Sequence, residues 1–277
     1  MKIGVFDSGF GGLTVMRALL EQVPQADYLY LGDTARLPYG AKSKETVARY
    51  AVSSARFLVE QGAEFLVIAC NTASALALDA IRAAVPVPVL GVIETGVGNA
   101  GAVSKTRDVL VIATAATVES HAYAAACADE KLRAIEKACP LLVPLVEEGW
   151  IEHPVTAEVL RIYMSELMDQ ARAAGLNADT LVLGCTHYPL LRAQIQAALP
   201  DSPGATVRII DSAQATAERV ARTLRLDGRA NSGAARFFAT DSVRKFRTLG
   251  GRFLGREIDG VELVDLERPP GAAVAEP

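Results

Sequence analysis

The sequence predicts an α/β protein made of two related halves, each with a mostly parallel sheet. Three observations point there. Short apolar runs of strand length alternate with amphipathic stretches of helical length, which is the pattern of βαβ units. One segment echoes another: residues 65–74 read FLVIACNTAS, and residues 180–189 read TLVLGCTHYP. Each is a buried-strand run, then a small residue, a cysteine, a polar residue and a short turn. Upstream of each stands a further strand end with a polar residue, IGVFDSG before the first and VLVIATAAT before the second. A chain of 277 residues can build one large domain or two medium ones.

In chain order, strands are expected at 2–6, 28–31, 65–69, 87–92, 108–113, 141–145, 181–184, 207–210 and 235–239. A helix is expected over 13–23, stopped by Pro24. Ser43 can cap a second helix that runs to Gly62 as its closing glycine. Pro154 suits the first turn of another, which can run to Gly175. Asp211, with Gln214 three residues on, reads as a capping box. The stretch from Glu267, ERPPGAAVAEP, is rich in Pro and Ala, has no apolar period, and is expected to be disordered or loosely attached.

Composition narrows the function classes. A net charge of −4 argues against a protein whose main task is gripping phosphate backbones, so no nucleic-acid partner is expected. The local basic stretch of Arg244, Lys245, Arg247, Arg252 and Arg256 reads as a solvated face. No apolar run approaches the roughly 18 residues of a membrane span. The opening MKIGVFDSGF reads as a strand entering a glycine-rich turn rather than a signal peptide, so the expected location is cytoplasmic. Four cysteines, Cys70, Cys127, Cys139 and Cys185, occur without a CxxC pair. In a long chain without a secretory signal they read as thiols, not as a disulfide framework.

The chemistry is expected beyond the carboxyl ends of the strands, where open α/β sheets bind ligands. Asp7, Cys70, Thr114 and Cys185 all fall at such ends. One buried cysteine alone would read as core filler. Two in equivalent settings, each followed by residues that can cap a helix, read as functional thiols. Cys127 and Cys139 lie in ordinary segments and read as structural. Inverting a stereocentre by proton transfer needs a base on one face and an acid on the other, with both groups able to exchange roles. A thiol, with an ordinary pKa of about 8.5, suits both roles. His187, two residues after Cys185, reads either as a satisfied loop histidine or as a group that tunes that thiol's proton. Asp7 reads either as a turn residue before the glycines, or as a group that orients or deprotonates Cys70 or holds a substrate amine. The loop DSGFGGLT, residues 7–14, is neither GxGxxG nor a P-loop. Tyr39–Gly40 after Pro38 forms a turn near a strand end. Cys185 and His187 with the distant Cys70 lack the local spacing of a zinc site.

DSGFGGLT, PYG at Pro38–Gly40, ACNTAS at Ala69–Ser74 and GCTHYP at Gly184–Pro189 resemble the glutamate racemase family of the aspartate/glutamate racemase superfamily. The resemblance runs from Met1 to about Leu266 with the motifs in order. It implies two pseudo-symmetric α/β domains with the active site in the cleft between them. The first would be residues 1–95 plus 206–277, and the second, inserted one residues 96–205. It implies no pyridoxal phosphate, no other cofactor and no metal. It implies that Cys70 takes the α-proton of D-glutamate and Cys185 that of L-glutamate, assisted by Asp7 and His187. Asp7, Ser8, Tyr39, Gly40, Asn71, Thr72, Thr186 and His187 match substrate-binding positions. Thr114 and Thr117 match a carboxylate-binding pair more loosely, since Ala113 and Ala116 stand where glycines are common. An acidic residue near Glu147 also matches. The D-glutamate product feeds bacterial peptidoglycan, and members are commonly homodimers. Some carry an N-terminal extension tied to activation by a cell-wall precursor, and no such regulation is expected of a chain that opens on its first strand. Some also bind DNA gyrase, for which this sequence offers no support. Two rivals remain: a racemase of aspartate or another small amino acid, and a thiol hydrolase using Cys185 and His187, which leaves Cys70 without a role.

Overall fold

The computed structural model describes residues 1–199, 207–224 and 233–266; the expectation for the tail from Glu267 lies outside them. β1 (Lys2–Asp7) leads through the glycine-rich turn into α1 (Leu13–Gln22), and β2 (Asp27–Gly32) follows Pro24. α2 (Lys44–Glu60) starts at Ser43, whose Oγ accepts the Thr46 N–H at 3.4 Å. Such a cap contributes about 1 kcal/mol. Gly62 then leaves the helix at φ +93°, a conformation glycine adopts without strain. β3 (Phe65–Ile68), α3 (Asn71–Leu76), α4 (Leu78–Ala84) and β4 (Val89–Gly91) complete the first run, and α5 (Val92–Val103) carries the chain across to a second sheet.

There β5 (Asp108–Ala113) is followed by α6 (Ala115–Glu119), α7 (Ala122–Asp129) and β6 (Arg133–Ala138). α8 (Leu142–Glu147) and α9 (Pro154–Ala173) precede β7 (Thr180–Gly184), α10 (Arg192–Ala198) and β8 (Arg208–Asp211). α11 (Ser212–Leu224) begins the return to β9 (Ala235–Ala239), α12 (Val243–Leu254) and β10 (Glu262–Leu263). Asp211 caps α11 as expected, its Oδ1 accepting the Ala213 and Gln214 N–H groups.

The first sheet has the order β10-β9-β2-β1-β3-β4 and the second β6-β5-β7-β8, with every pairing parallel. The run β2-β1-β3-β4 has the same order as β6-β5-β7-β8. The echo in the sequence is therefore an echo in topology: β1 corresponds to β5, and β3 to β7. Helices cover both faces, so the central strands are mostly apolar, and all six residues of β5, Asp108 included, are buried. The two crossings between the sheets, α5 and α11, pack side by side, with Thr95 Oγ1 and Thr216 Oγ1 2.7 Å apart.

Three expectations differ from what is found. Residues 142–145 form helix, not strand, because Leu142 and Val146, four apart, bury one helical face, and Pro144 is tolerated in a first turn. The strand in that region is the edge strand β6, RAIEKA, whose three charged residues hide it from a search for apolar runs. The division expected at residue 206 puts 207–210 with the first sheet, whereas Arg208–Asp211 pairs with β7 in the second.

Candidate active site

Each thiol sits at the carboxyl end of a buried strand. Cys70 follows β3 and caps α3, its Sγ accepting the Ala73 N–H at 3.4 Å. Its thiol donates to Ser8 Oγ at 3.3 Å. Cys185 follows β7, the corresponding strand of the second sheet, with its Sγ 3.9 Å from His187 Nδ1. Both cysteines are free and buried, and both line one cavity of about 510 Å³, a volume that suits a small ligand. Ser8, Tyr39, Gly40, Asn71, Thr72, Thr114, Thr186 and His187 line the same cavity. Asp7 and Thr117 lie buried just behind this lining.

Asp7 ends β1, and its Oδ2 accepts the Gly9 N–H at 2.8 Å, whereas Oδ1 is buried without a partner. Burial raises its pKa, against the charge of His187 and the N–H groups of Gly12, Gly9 and Ser8. Burial, reinforced by the negative charge of Asp7, pushes the Cys70 thiol up to about 12, against the pull of Ser8 and Ala73. Burial opposes charge on His187, but its hydrogen bonds to Cys185 and Glu147 prevail and raise the imidazole to about 10. Glu147 Oε1 faces His187 Nε2 at 3.3 Å, and Glu147 Oε2 accepts from Lys245 Nζ at 3.4 Å. Burial pushes Glu147 up, but these two partners hold it below the usual carboxylate range.

The hydroxyls of Thr72, Thr114 and Thr117 form a triangle with sides of 2.9 to 3.3 Å. Asn71 Oδ1 accepts the Tyr123 hydroxyl at 2.6 Å, and its Nδ2 is buried and unpartnered. Tyr39 donates to Asp33 Oδ2, and Arg36 and Thr240 donate to the same carboxylate. Two glycines allow close approach. A Cβ on Gly11 would stand 2.1 Å from Thr186 Oγ1, and one on Gly40 would stand 2.9 Å from Thr114 Cβ.

Cys127 and Cys139 are wholly buried in the core, and burial pushes each thiol up to about 12. Among the described residues, no three His, Cys, Asp or Glu side chains cluster as metal ligands, and no helix is long and apolar enough to cross a membrane. In the basic stretch Arg244, Lys245, Arg247, Arg252 and Arg256 are all exposed, as a solvated face should be, and Lys245 also lines the cavity. Sequence reasoning passed over Asp33, although an acid directly after β2 stands much as Asp7 stands at the end of β1.

Comparison with known proteins agrees with this arrangement. Residues 3–220 match the Asp/Glu/Hydantoin racemase family. The glutamate racemase of Koribacter versatilis (strain Ellin345) is 51% identical over 289 residues, covering 95% of this chain and 97% of that protein. A crystal structure of glutamate racemase from Francisella tularensis subsp. tularensis SCHU S4 in complex with D-glutamate aligns with a TM-score of 0.85 at 35% identity. That alignment covers 96% of this chain and 98% of the other. The Escherichia coli glutamate racemase in complex with L-glutamate and the activator UDP-MurNAc-ala aligns at 0.72 and 28% identity, over 95% and 97%. With two matched α/β sheets closing on one cavity that holds two thiols, the chain belongs to the Asp/Glu/Hydantoin racemase family, among its glutamate racemases.

Proposed function

We propose that this racemase interconverts L-glutamate and D-glutamate by moving the α-proton between two thiols, Cys185 on one face and Cys70 on the other. The observation that carries the reading is the placement of both free cysteines on one cavity, each after the corresponding strand of a topologically matched sheet. From L-glutamate, Cys185 as thiolate removes the α-hydrogen, leaving a planar carbanion. The Cys70 thiol then delivers its proton to the opposite face, giving D-glutamate and a Cys70 thiolate. The reverse reaction exchanges the roles. His187, within reach of Cys185 Sγ, holds and returns that sulfur's proton. Asp7, with one buried oxygen unpartnered, is placed to take the substrate ammonium or to exchange a proton with Cys70. Ser8, Tyr39, Gly40, Asn71, Thr72, Thr114, Thr117 and Thr186 bind the carboxylates and backbone of the substrate, through hydroxyls, the Asn71 amide and main-chain N–H groups. By this reading the protein supplies D-glutamate for peptidoglycan in the cytoplasm and works as a homodimer, which light scattering of the purified protein tests.

The reaction is tested by racemising L-glutamate in deuterated water and following optical rotation and α-carbon labelling. The product should carry deuterium at the α-carbon, and Cys70→Ser and Cys185→Ser should each lower turnover by about 10²-fold or more. Near-normal turnover in either variant refutes the two-thiol scheme. Retention by Cys70→Ala alone would instead fit a Cys185–His187 hydrolase. Loss of rotation with L-aspartate but not L-glutamate would move the substrate to aspartate.

A further inference from the structure

We propose that Lys245 is a positioning residue for the Cys185 half of the reaction: from across the cleft it fixes Glu147, and through Glu147 the imidazole of His187. The proposal rests on the two-thiol reading above.

Lys245 lies on α12, which follows β9 of the first sheet, whereas Glu147 ends α8 and His187 follows β7, both in the second half. Nζ donates to Glu147 Oε2 at 3.4 Å, the other carboxylate oxygen faces His187 Nε2 at 3.3 Å, and Nδ1 stands 3.9 Å from Cys185 Sγ. Four groups thus form one chain of contacts that ends at the sulfur. Among the described residues that line the cavity, Lys245 is the one Lys or Arg. The same helix presses Phe253 edge-on against His187, with ring centroids 5.0 Å apart.

An exposed ion pair is ordinarily worth little. This one differs in its partner, whose side chain is 17% exposed and whose second oxygen is committed to a buried imidazole. A carboxylate held at one oxygen can swing, but one held at both presents a fixed acceptor to Nε2. That in turn aims Nδ1 at sulfur, as the third member of a triad aims its base.

The reaction's symmetry supplies a specific test. The two enantiomers have equal free energy, so kcat/KM must be the same from either side in every variant. Weakening one half cannot make kcat/KM one-sided, but it makes that half's C–H step more rate-limiting. The experiment measures primary isotope effects on kcat/KM from L-[2-²H]glutamate and D-[2-²H]glutamate in wild type, Lys245→Met and Lys245→Arg, with Cys185→Ser alongside. In Lys245→Met, kcat/KM should fall about tenfold in both directions. The isotope effect from the L side, where Cys185 breaks the C–H bond, should rise relative to that from the D side. Lys245→Arg should recover most of the activity and the wild-type ratio. An unchanged ratio in Lys245→Met, whether or not the rate falls, overturns the proposal, because a general structural loss weakens both halves alike. If the ratio is unchanged while Cys185→Ser is inactive, Lys245 alone is refuted; if Cys185→Ser is active, the two-thiol reading itself has failed.

Discussion

Thr72 and Thr114 hold their hydroxyl oxygens 3.0 Å apart across the cleft, one on α3 beside the first sheet and the other at the start of α6 beside the second. Thr117 closes the triangle. Three hydroxyls that satisfy one another at rest can turn together to donate to an incoming carboxylate. Thr72→Val and Thr114→Val should therefore raise KM about tenfold, the loss of roughly one hydrogen bond to a charged group, with a smaller change in kcat. Steady-state kinetics by optical rotation checks this, and an unchanged KM in both variants removes the triangle from substrate binding.

His187 should carry its proton far above the usual range. Its folded-state pKa of about 10 lies above the ordinary 6.5, so the protonated form is favoured by folding. The stabilisation is fully present below about pH 6.5 and is lost as pH rises through about 10. The gap in unfolding free energy between wild type and His187→Gln should shrink from pH 6 to pH 10. Nitrogen NMR should show an imidazolium at pH 8, and Glu147→Gln should bring its titration down. A neutral ring at pH 8 contradicts this picture.

Glycines separate activity from stability. Gly11→Ala would drive a methyl to 2.1 Å from Thr186 Oγ1 and 2.7 Å from His187 Nδ1, so activity should fall sharply. Gly4→Ala meets Leu66 Cδ2 at 2.6 Å inside the first sheet's packing, away from the cavity. It should cost about 1–3 kcal/mol of stability, measured by urea unfolding, while residual folded enzyme keeps its kcat.

Asp33 is wholly buried and is bonded to Arg36, Tyr39 and Thr240. Asp33→Ala should destabilise the fold by about 3 kcal/mol by leaving the mostly buried Arg36 uncompensated. Asp33→Asn, which keeps an acceptor for Tyr39, should retain more of both stability and activity. Equal losses in the two variants would show that charge alone matters there.

What could be read in advance follows the range of the physics. Ser43 with Gly62, and Asp211 with Gln214, act within a few residues, and each stands where its local chemistry puts it. The paired cysteines were legible because equivalent strand ends repeat a local pattern. β6 was not, because Arg133, Glu136 and Lys137 break up its apolar run, although the Glu136 and Lys137 side chains are largely covered in the fold. The Glu147–Lys245 contact joins residues far apart in the chain, and no spacing rule connects α8 to α12. Thr114 was legible as a polar strand end, whereas Thr117 entered only through family resemblance, since an isolated Thr has no signature of its own.

The side-by-side crossings of α5 and α11, tied at Thr95 and Thr216, have a mechanical consequence. Two neighbouring connections resist being pulled apart but yield readily to turning about their common direction, as a hinge does. Such a turn would swing Glu147 away from Lys245 and Thr114 away from Thr72 together. Admission of substrate and the undoing of both catalytic walls would then be a single event.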